Sequence, residues 1–136
     1  MANVVYTEFL NSLLDLNPSI DFDTDTLKVA MVTSAYTPSA AHQFFSSVAG
    51  VVGTPQTLTS PSVTAGVFDA ADATFTAVAA GSTVVGLVLY KDTGVAGTSP
   101  LIAFIDSVAS GLPVATNGGN IVIAWDNGAN KILKVG

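Results

Sequence analysis

Apolar residues near the N-terminus recur with the spacing of one face of an α-helix. Successive members stand four, four and three positions apart, at Val5, Phe9, Leu13 and Leu16. Asn3 is a residue type that caps helix N-termini, and Pro18 disfavours helical backbone in the residue before it. The pattern predicts one amphipathic helix over about residues 3–16, lying across one side of a sheet.

Three later segments are apolar without alternation: Val84–Tyr90, Leu101–Ile105 and Ile121–Trp125. A strand with one solvent-exposed face alternates apolar and polar residues, whereas an unbroken apolar run is typical of a strand covered on both faces. We therefore predict that these are central strands of a layered core. The turn-forming stretch Asp126–Asn130 predicts a hairpin between the last run and residues 132–133.

Further strands are predicted at Leu27–Val32 and, from weaker alternation, at Thr57–Thr64, Val67–Asp69 and Thr74–Val78. A short helix is predicted around Ala41–Val48. Valine, isoleucine and threonine supply 39 residues, while glutamate, glutamine, lysine, arginine and methionine supply only nine, a balance that favours sheet. The predicted fold class is mainly β: an antiparallel β-sandwich or jelly-roll-like single domain over residues 1–136, with the N-terminal amphipathic helix.

Charge narrows the choice of partners. The chain has 10 acidic and 4 basic residues, no arginine, and a formal net charge of −6. Nucleic-acid binding needs a cationic patch that this composition cannot supply, so we expect no nucleic-acid partner. Because the chain has no cysteine, disulfides and thiolate metal sites are excluded.

A mean hydropathy of +0.57 raises the question of a membrane. The longest uncharged candidate, Ala73–Tyr90, contains threonines and a Gly81-Ser82 break, which fit two strands and a turn better than the roughly 20 apolar residues of a spanning helix. No lysine or arginine precedes Lys28, and Glu8 interrupts the first apolar run. We therefore expect a soluble chain with no membrane partner and no export signal.

Candidate catalytic residues are few. His42 is the single histidine and Glu8 the single glutamate, and no serine stands in a Gly-x-Ser-x-Gly motif. We predict no catalytic residue and no cofactor, and therefore a protein that is not an enzyme. A small hydrolase using Glu8 or His42 is kept as a competing hypothesis.

One acidic segment has alternating carboxylates, at Asp21, Asp23 and Asp25. Oxygen ligands suit a hard cation such as Ca²⁺, so these residues are the metal-site candidate. An EF-hand loop beginning at Asp21 would need glycine at Thr26 and glutamate at Val32, and the chain has neither. The alternative is an acidic turn in which aspartates bond their own backbone.

Seven segments follow one another in order over most of the chain: Asp23–Ala30, Thr33–Pro38, Gly66–Ala70, Val88–Gly94, Thr98–Asp106, Gly111–Val114 and Trp125–Ile132. In these segments the chain resembles a family of small virion structural proteins of tailed bacteriophages. The resemblance implies a capsid decoration, or cement, protein that is made in the host cytoplasm and binds the outside of the head. It implies the major capsid protein as partner, a homo-oligomer, and no catalytic residues.

A contact surface for such a partner is predicted between Thr33 and Val52, where no residue carries a formal charge. Its apolar members are Tyr36, Phe44, Phe45, Val48, Val51 and Val52. Exposed apolar patches mark interfaces, although the same phenylalanines could equally pack beneath the sheets. The alternative function is a tail or baseplate component with a carbohydrate- or protein-binding β-sandwich.

Overall fold

The computed structural model describes residues 4–15, 20–22, 24–106, 112–125 and 131–134. Within this part of the chain the protein is mainly β, with one α-helix, α1 (Thr7–Asp15), close to the N-terminus. The strand pairs in the same ranges run antiparallel. The predicted fold class, a mainly β, sandwich-like antiparallel domain with an N-terminal helix, is thereby confirmed.

The largest sheet has five strands. In spatial order these are β1 (Val4–Val5), β9 (Leu101–Ile105), β8 (Gly86–Lys91), β2 (Leu27–Val32) and β3 (Val51–Thr57), numbered by their order in the chain. The central strands β9, β8 and β2 are almost entirely buried. For β9 and β8 this is expected, because they belong to apolar runs that do not alternate. β2 and β9 have the bounds predicted for them.

Three smaller sheets complete the described part of the fold. β7 (Thr83–Val84) pairs with β10 (Val114–Ala115), and β6 (Ala73–Phe75) pairs with β11 (Ile121–Ile123). β5 (Val67–Asp69) lies between β4 (Ser62–Thr64) and β12 (Leu133–Lys134). The stretch considered as a membrane span, Ala73–Tyr90, thus contributes to three strands. No helix among the described residues has the length and hydropathy needed to cross a bilayer.

The C-terminal part differs from the prediction in two ways. The predicted hairpin between Ile121–Trp125 and residues 132–133 is wrong, because β11 pairs with β6 and β12 pairs with β5. The segment Ile121–Trp125 is also not covered on both faces, since Val122 is 51% exposed between two buried isoleucines. β11 belongs to a two-stranded sheet, so one of its faces meets solvent.

The helix is shorter than predicted. It begins at Thr7 because Val4 and Val5 form an edge strand paired with Phe104 and Ala103 of β9, and the backbone N–H of Tyr6 continues that ladder by donating to the Ile102 carbonyl. Long-range pairing here prevails over the helical spacing that included Val5. Asn3, Leu16 and Pro18 lie outside the described residues. Of the short helix predicted around Ala41–Val48, the structure has only a 3₁₀ turn at Phe45–Ser47.

At two positions the structure shows why the residue is glycine. A Cβ on Gly86 would overlap the ring of Phe104 on the neighbouring strand, so only glycine leaves room for this ring against β8. Gly53 has a φ of +69° and stands where the pairing of β2 with β3 shifts register between Val29 and Met31. With Pro55 in the same edge strand, this irregularity interrupts the free edge of the five-stranded sheet and blocks regular pairing with another strand.

Candidate interaction surface

Tyr36, the first residue of the predicted contact surface, is internal. It is 2% exposed, and its hydroxyl lies 2.7 Å from the hydroxyl of Tyr6 and 2.9 Å from Nδ1 of His42. Burial raises the pKa of both tyrosines, further in Tyr6, where the hydrogen bond to Tyr36 adds to it. Both hydroxyls therefore stay protonated, and the chain of hydrogen bonds holds the 33–42 segment to the start of α1.

The other predicted contact residues are divided between the core and the surface. Phe45 is half-buried and stacks on Tyr90, with ring centroids 4.1 Å apart and an interplanar angle of 20°. Val48 and Val52 pack against the core. Phe44 is half-buried, and its backbone forms an isolated antiparallel β-bridge with Pro100. Burial raises the pKa of the Tyr90 hydroxyl beneath Phe45 to about 12, and the nearby Asp92 carboxylate adds to that rise.

Val51, at 38% exposed, is the most exposed of the six predicted contact residues. The six residues thus do not form one open apolar patch, and Tyr36 is too buried to contact a partner. The physical reason is that uncharged loop residues in a small domain bury more apolar area by folding back on the sheet than by facing solvent.

The acidic turn is tied to the main sheet by charge. The backbone N–H of Asp21 donates to Oδ2 of Asp25 at 2.8 Å, and Nζ of Lys91 lies 3.0 Å from the same oxygen. Asp23 lies outside the described residues, and within the described ranges no three carboxylate or imidazole groups come together as metal ligands. The cation site at Asp21, Asp23 and Asp25 therefore stays a prediction, while the contacts of Asp25 are those of the alternative, a self-bonded turn.

A second ion pair stands beside the first. Nζ of Lys28 lies 3.0 Å from Oδ2 of Asp92, and the backbone N–H of Asp92 donates to the Thr26 carbonyl. The Gly94 N–H that donates to Asp92, followed by the Lys28 ammonium, lowers the pKa of the Asp92 carboxyl. Since the two ion pairs use Lys28 and Lys91 to join the ends of β2 and β8, we interpret them as structural contacts.

Among the described residues, an apolar groove lies beside α1, apart from the predicted contact surface at 33–52. A cavity of about 190 Å³ opens between α1, the β4–β5 hairpin and β12. We call it the α1 groove; its lining is apolar and comprises Phe9, Leu13, Phe22, Val63, Gly66, Phe68 and Leu133. Within the lining, the ring of Phe22 makes edge contacts, with its centroid 5.7 Å from that of Phe9 and 4.8 Å from that of Phe68.

Exposed apolar residues occur in the lining of the groove, at Leu13 and Val63, and beside Leu13 on the helix, at Leu10 and Leu14. Leu14 is 89% exposed, Leu10 42% and Leu13 36%, while Val63 across the groove is 53% exposed. Scattered apolar residues are normal on protein surfaces, but Leu13 and Val63 line an apolar concavity, which is typical of an interaction site.

Sequence reasoning missed this surface. The predicted apolar face contained Phe9 and Leu13, and Phe9 is indeed buried at 1% exposed. Leu10 and Leu14 were not assigned to it, although they are four positions apart and flank Leu13. That second apolar stripe was the available signal, because a nine-residue helix packed on one sheet has no need of apolar residues around most of its circumference.

Helix α1 carries acidic but no basic residues. The charged residues of α1 are Glu8 and Asp15, and the last turn has no basic residue. Asp15 therefore stands at the negative end of the helix dipole, an arrangement that repels anions and attracts cations.

The fold and this surface define a mainly β protein with a small helix that presents apolar side chains to solvent. Sequence comparison adds no relative: no protein-family model matches the chain, and no curated protein matches it.

Proposed function

We propose that the protein is a virion structural protein of a tailed bacteriophage, a decoration or cement protein that binds the outside of the head and stabilises contacts between major capsid proteins. The sequence resemblance suggests the class. The observation that carries a binding role is the α1 groove with its exposed leucines. Such a surface can bury apolar area against a partner without any rearrangement of the core.

The free-energy scale is adequate for this role. Burying one leucine side chain contributes about 1.5–3 kcal/mol, and the exposed leucines lie beside a cavity that is already formed. A decoration protein occupies many equivalent positions on a head, so modest affinity at each position adds resistance to expansion of the whole shell. Three buried strands from the centre of the main sheet supply a stiff body for such a clamp.

The test is direct. Purified protein is incubated with heads assembled without it, and the heads are imaged by electron cryomicroscopy. We expect added density at symmetry-related positions, which would also give the number of copies in each unit. Bare heads, with the protein found on tails or baseplates instead, would contradict decoration and favour the alternative tail function.

A further inference from the structure

We infer that the hydrogen-bond chain Tyr6–Tyr36–His42 is an acid-sensitive latch, which holds the 33–42 segment to the start of α1 only while His42 is neutral. This inference goes beyond the proposed function and does not rest on it. The latch joins distant parts of the sequence, because Tyr6 lies between β1 and α1 while Tyr36 and His42 belong to the segment.

The number of hydrogens decides which form of His42 the latch accepts. Its two contacts, Tyr6 to Tyr36 at 2.7 Å and Tyr36 to Nδ1 of His42 at 2.9 Å, have room for one hydrogen each. Both hydrogens come from the tyrosines, since burial raises the pKa of each and keeps it protonated. Nδ1 is therefore an acceptor, and the neutral imidazole carries its hydrogen on Nε2.

A proton taken up by His42 disrupts this arrangement. An imidazolium donates from both ring nitrogens, so three hydrogens would share two contacts and one hydroxyl would be left without an acceptor. Within the part of the chain that the structure describes, neither hydroxyl has a further hydrogen-bond partner. Tyr6 is 0% and Tyr36 2% exposed, so water reaches these hydroxyls only if the segment detaches. Because an unsatisfied buried group is unfavourable, protonation favours detachment.

Another contact of the same segment shows where detachment can be measured. The Thr7 N–H donates to the Ala40 carbonyl at 2.9 Å. Since Thr7 begins α1, its N–H has no acceptor within the helix. Hydrogen exchange of this amide therefore reports directly on the attachment of the segment.

The charged groups on the elements packed against the segment are carboxylates. These elements are β1, α1 and β9; α1 carries Glu8 and Asp15, Asp106 follows β9, and the segment itself carries no charge. Glu8 lines a small cavity together with Gln43, the neighbour of His42. A carboxylate favours an imidazolium nearby, so Glu8 opposes the latch, and Glu8→Gln should leave the response to acid equal or larger.

The experiment measures hydrogen exchange of the Thr7 amide in the whole protein at about pH 7.5 and about pH 5.5, which span the titration of an ordinary histidine. Each rate is corrected for the intrinsic pH dependence of exchange. The detached state binds the proton more readily, so attachment weakens as the pH falls. We expect the protection of Thr7 to fall about threefold to tenfold.

The control amide is that of Leu58, which donates to the Leu27 carbonyl at 2.8 Å and should keep its protection. An equal fall at Thr7 and Leu58 would show unfolding of the whole domain and overturn the latch. Unchanged protection of Thr7 in acid would overturn it as well.

Two variants separate the hydrogen count from other causes. His42→Asn offers an amide oxygen, attached to Cγ as Nδ1 is, and takes up no proton in this pH range. The double variant Tyr6→Phe/Tyr36→Phe retains the histidine and removes both hydroxyls. In each, the protection of Thr7 should be the same at both pH values, and thermal melting at the higher pH should show that the variant is folded. A response to acid that persists in either folded variant would overturn the inference, because another group or the burial of the imidazole alone would then cause it.

Discussion

The hydrogen-bond chain Tyr6–Tyr36–His42 predicts an unequal response to the loss of its two hydroxyls. Tyr36→Phe removes the central hydroxyl and leaves the Tyr6 hydroxyl without its partner in a position that is 0% exposed. A buried polar group left unsatisfied costs about 1–3 kcal/mol. Half-buried His42 loses its bond as well but can turn to water, so we expect the free energy of unfolding to fall by about 2–3 kcal/mol.

Tyr6→Phe should be milder. This substitution removes the terminal hydroxyl of the hydrogen-bond series, while the Tyr36 hydroxyl keeps its hydrogen bond with Nδ1 of His42 at 2.9 Å. The expected loss is that of an ordinary hydrogen bond, about 0.5–1.5 kcal/mol. In the double variant neither hydroxyl is left unsatisfied, so its loss should be smaller than the sum of the two single losses.

Urea unfolding of the four proteins, followed by tryptophan fluorescence and circular dichroism, measures these differences. Equal slopes against urea concentration would show that the variants expose similar surface on unfolding. A Tyr36→Phe loss no greater than that of Tyr6→Phe, or strict additivity in the double variant, would refute the reasoning. It would mean that the buried hydroxyls have other partners of equal strength.

Three further predictions use the same unfolding assay. Gly86→Ala should cost about 1–3 kcal/mol because its Cβ overlaps the aromatic ring packed on it, whereas Gly97→Ala, where a Cβ meets nothing within 4 Å, should be near neutral; equal effects would contradict the close approach. The pKa of Asp92 is lowered from 3.8 in the folded protein, so the ionised carboxylate contributes to folding stability above that pH, and this contribution is lost as the pH falls through the lower folded pKa. Asp92→Asn should therefore reduce the loss of stability on acidification below about pH 4. An unchanged dependence of stability on acid pH would disprove this linkage. Phe45→Asp should destabilise the domain by at least about 2 kcal/mol, because the charge replaces a ring stacked on Tyr90; a fully stable variant that fails to attach to heads would instead restore the predicted contact surface.

The interaction surface was the hardest feature to predict, for a definite reason. An uncharged stretch such as Thr33–Val52 gives the same pattern whether its apolar residues face a partner or the core, and only the positions of Tyr6 and Tyr90 decide between them. The α1 groove is assembled from segments more than 100 residues apart in the chain, from Phe9 to Leu133. No local pattern reports such a juxtaposition.

The sequence by itself determined the fold class. Of the three runs predicted to be central strands, Val84–Tyr90 and Leu101–Ile105 contribute to the centre of the main sheet and Ile121–Trp125 does not. Leu27–Val32 and Leu101–Ile105 are strands with the predicted bounds, because a segment rich in apolar and β-branched residues specifies a buried strand locally. Tertiary structure alone decided which strands pair: Val4–Val5 leaves the helix to join β9, and Ile121–Ile123 pairs with β6 instead of its neighbour in sequence. Short strands carry little register information of their own, so their pairing follows from the apolar area and backbone hydrogen bonds that the whole fold satisfies together.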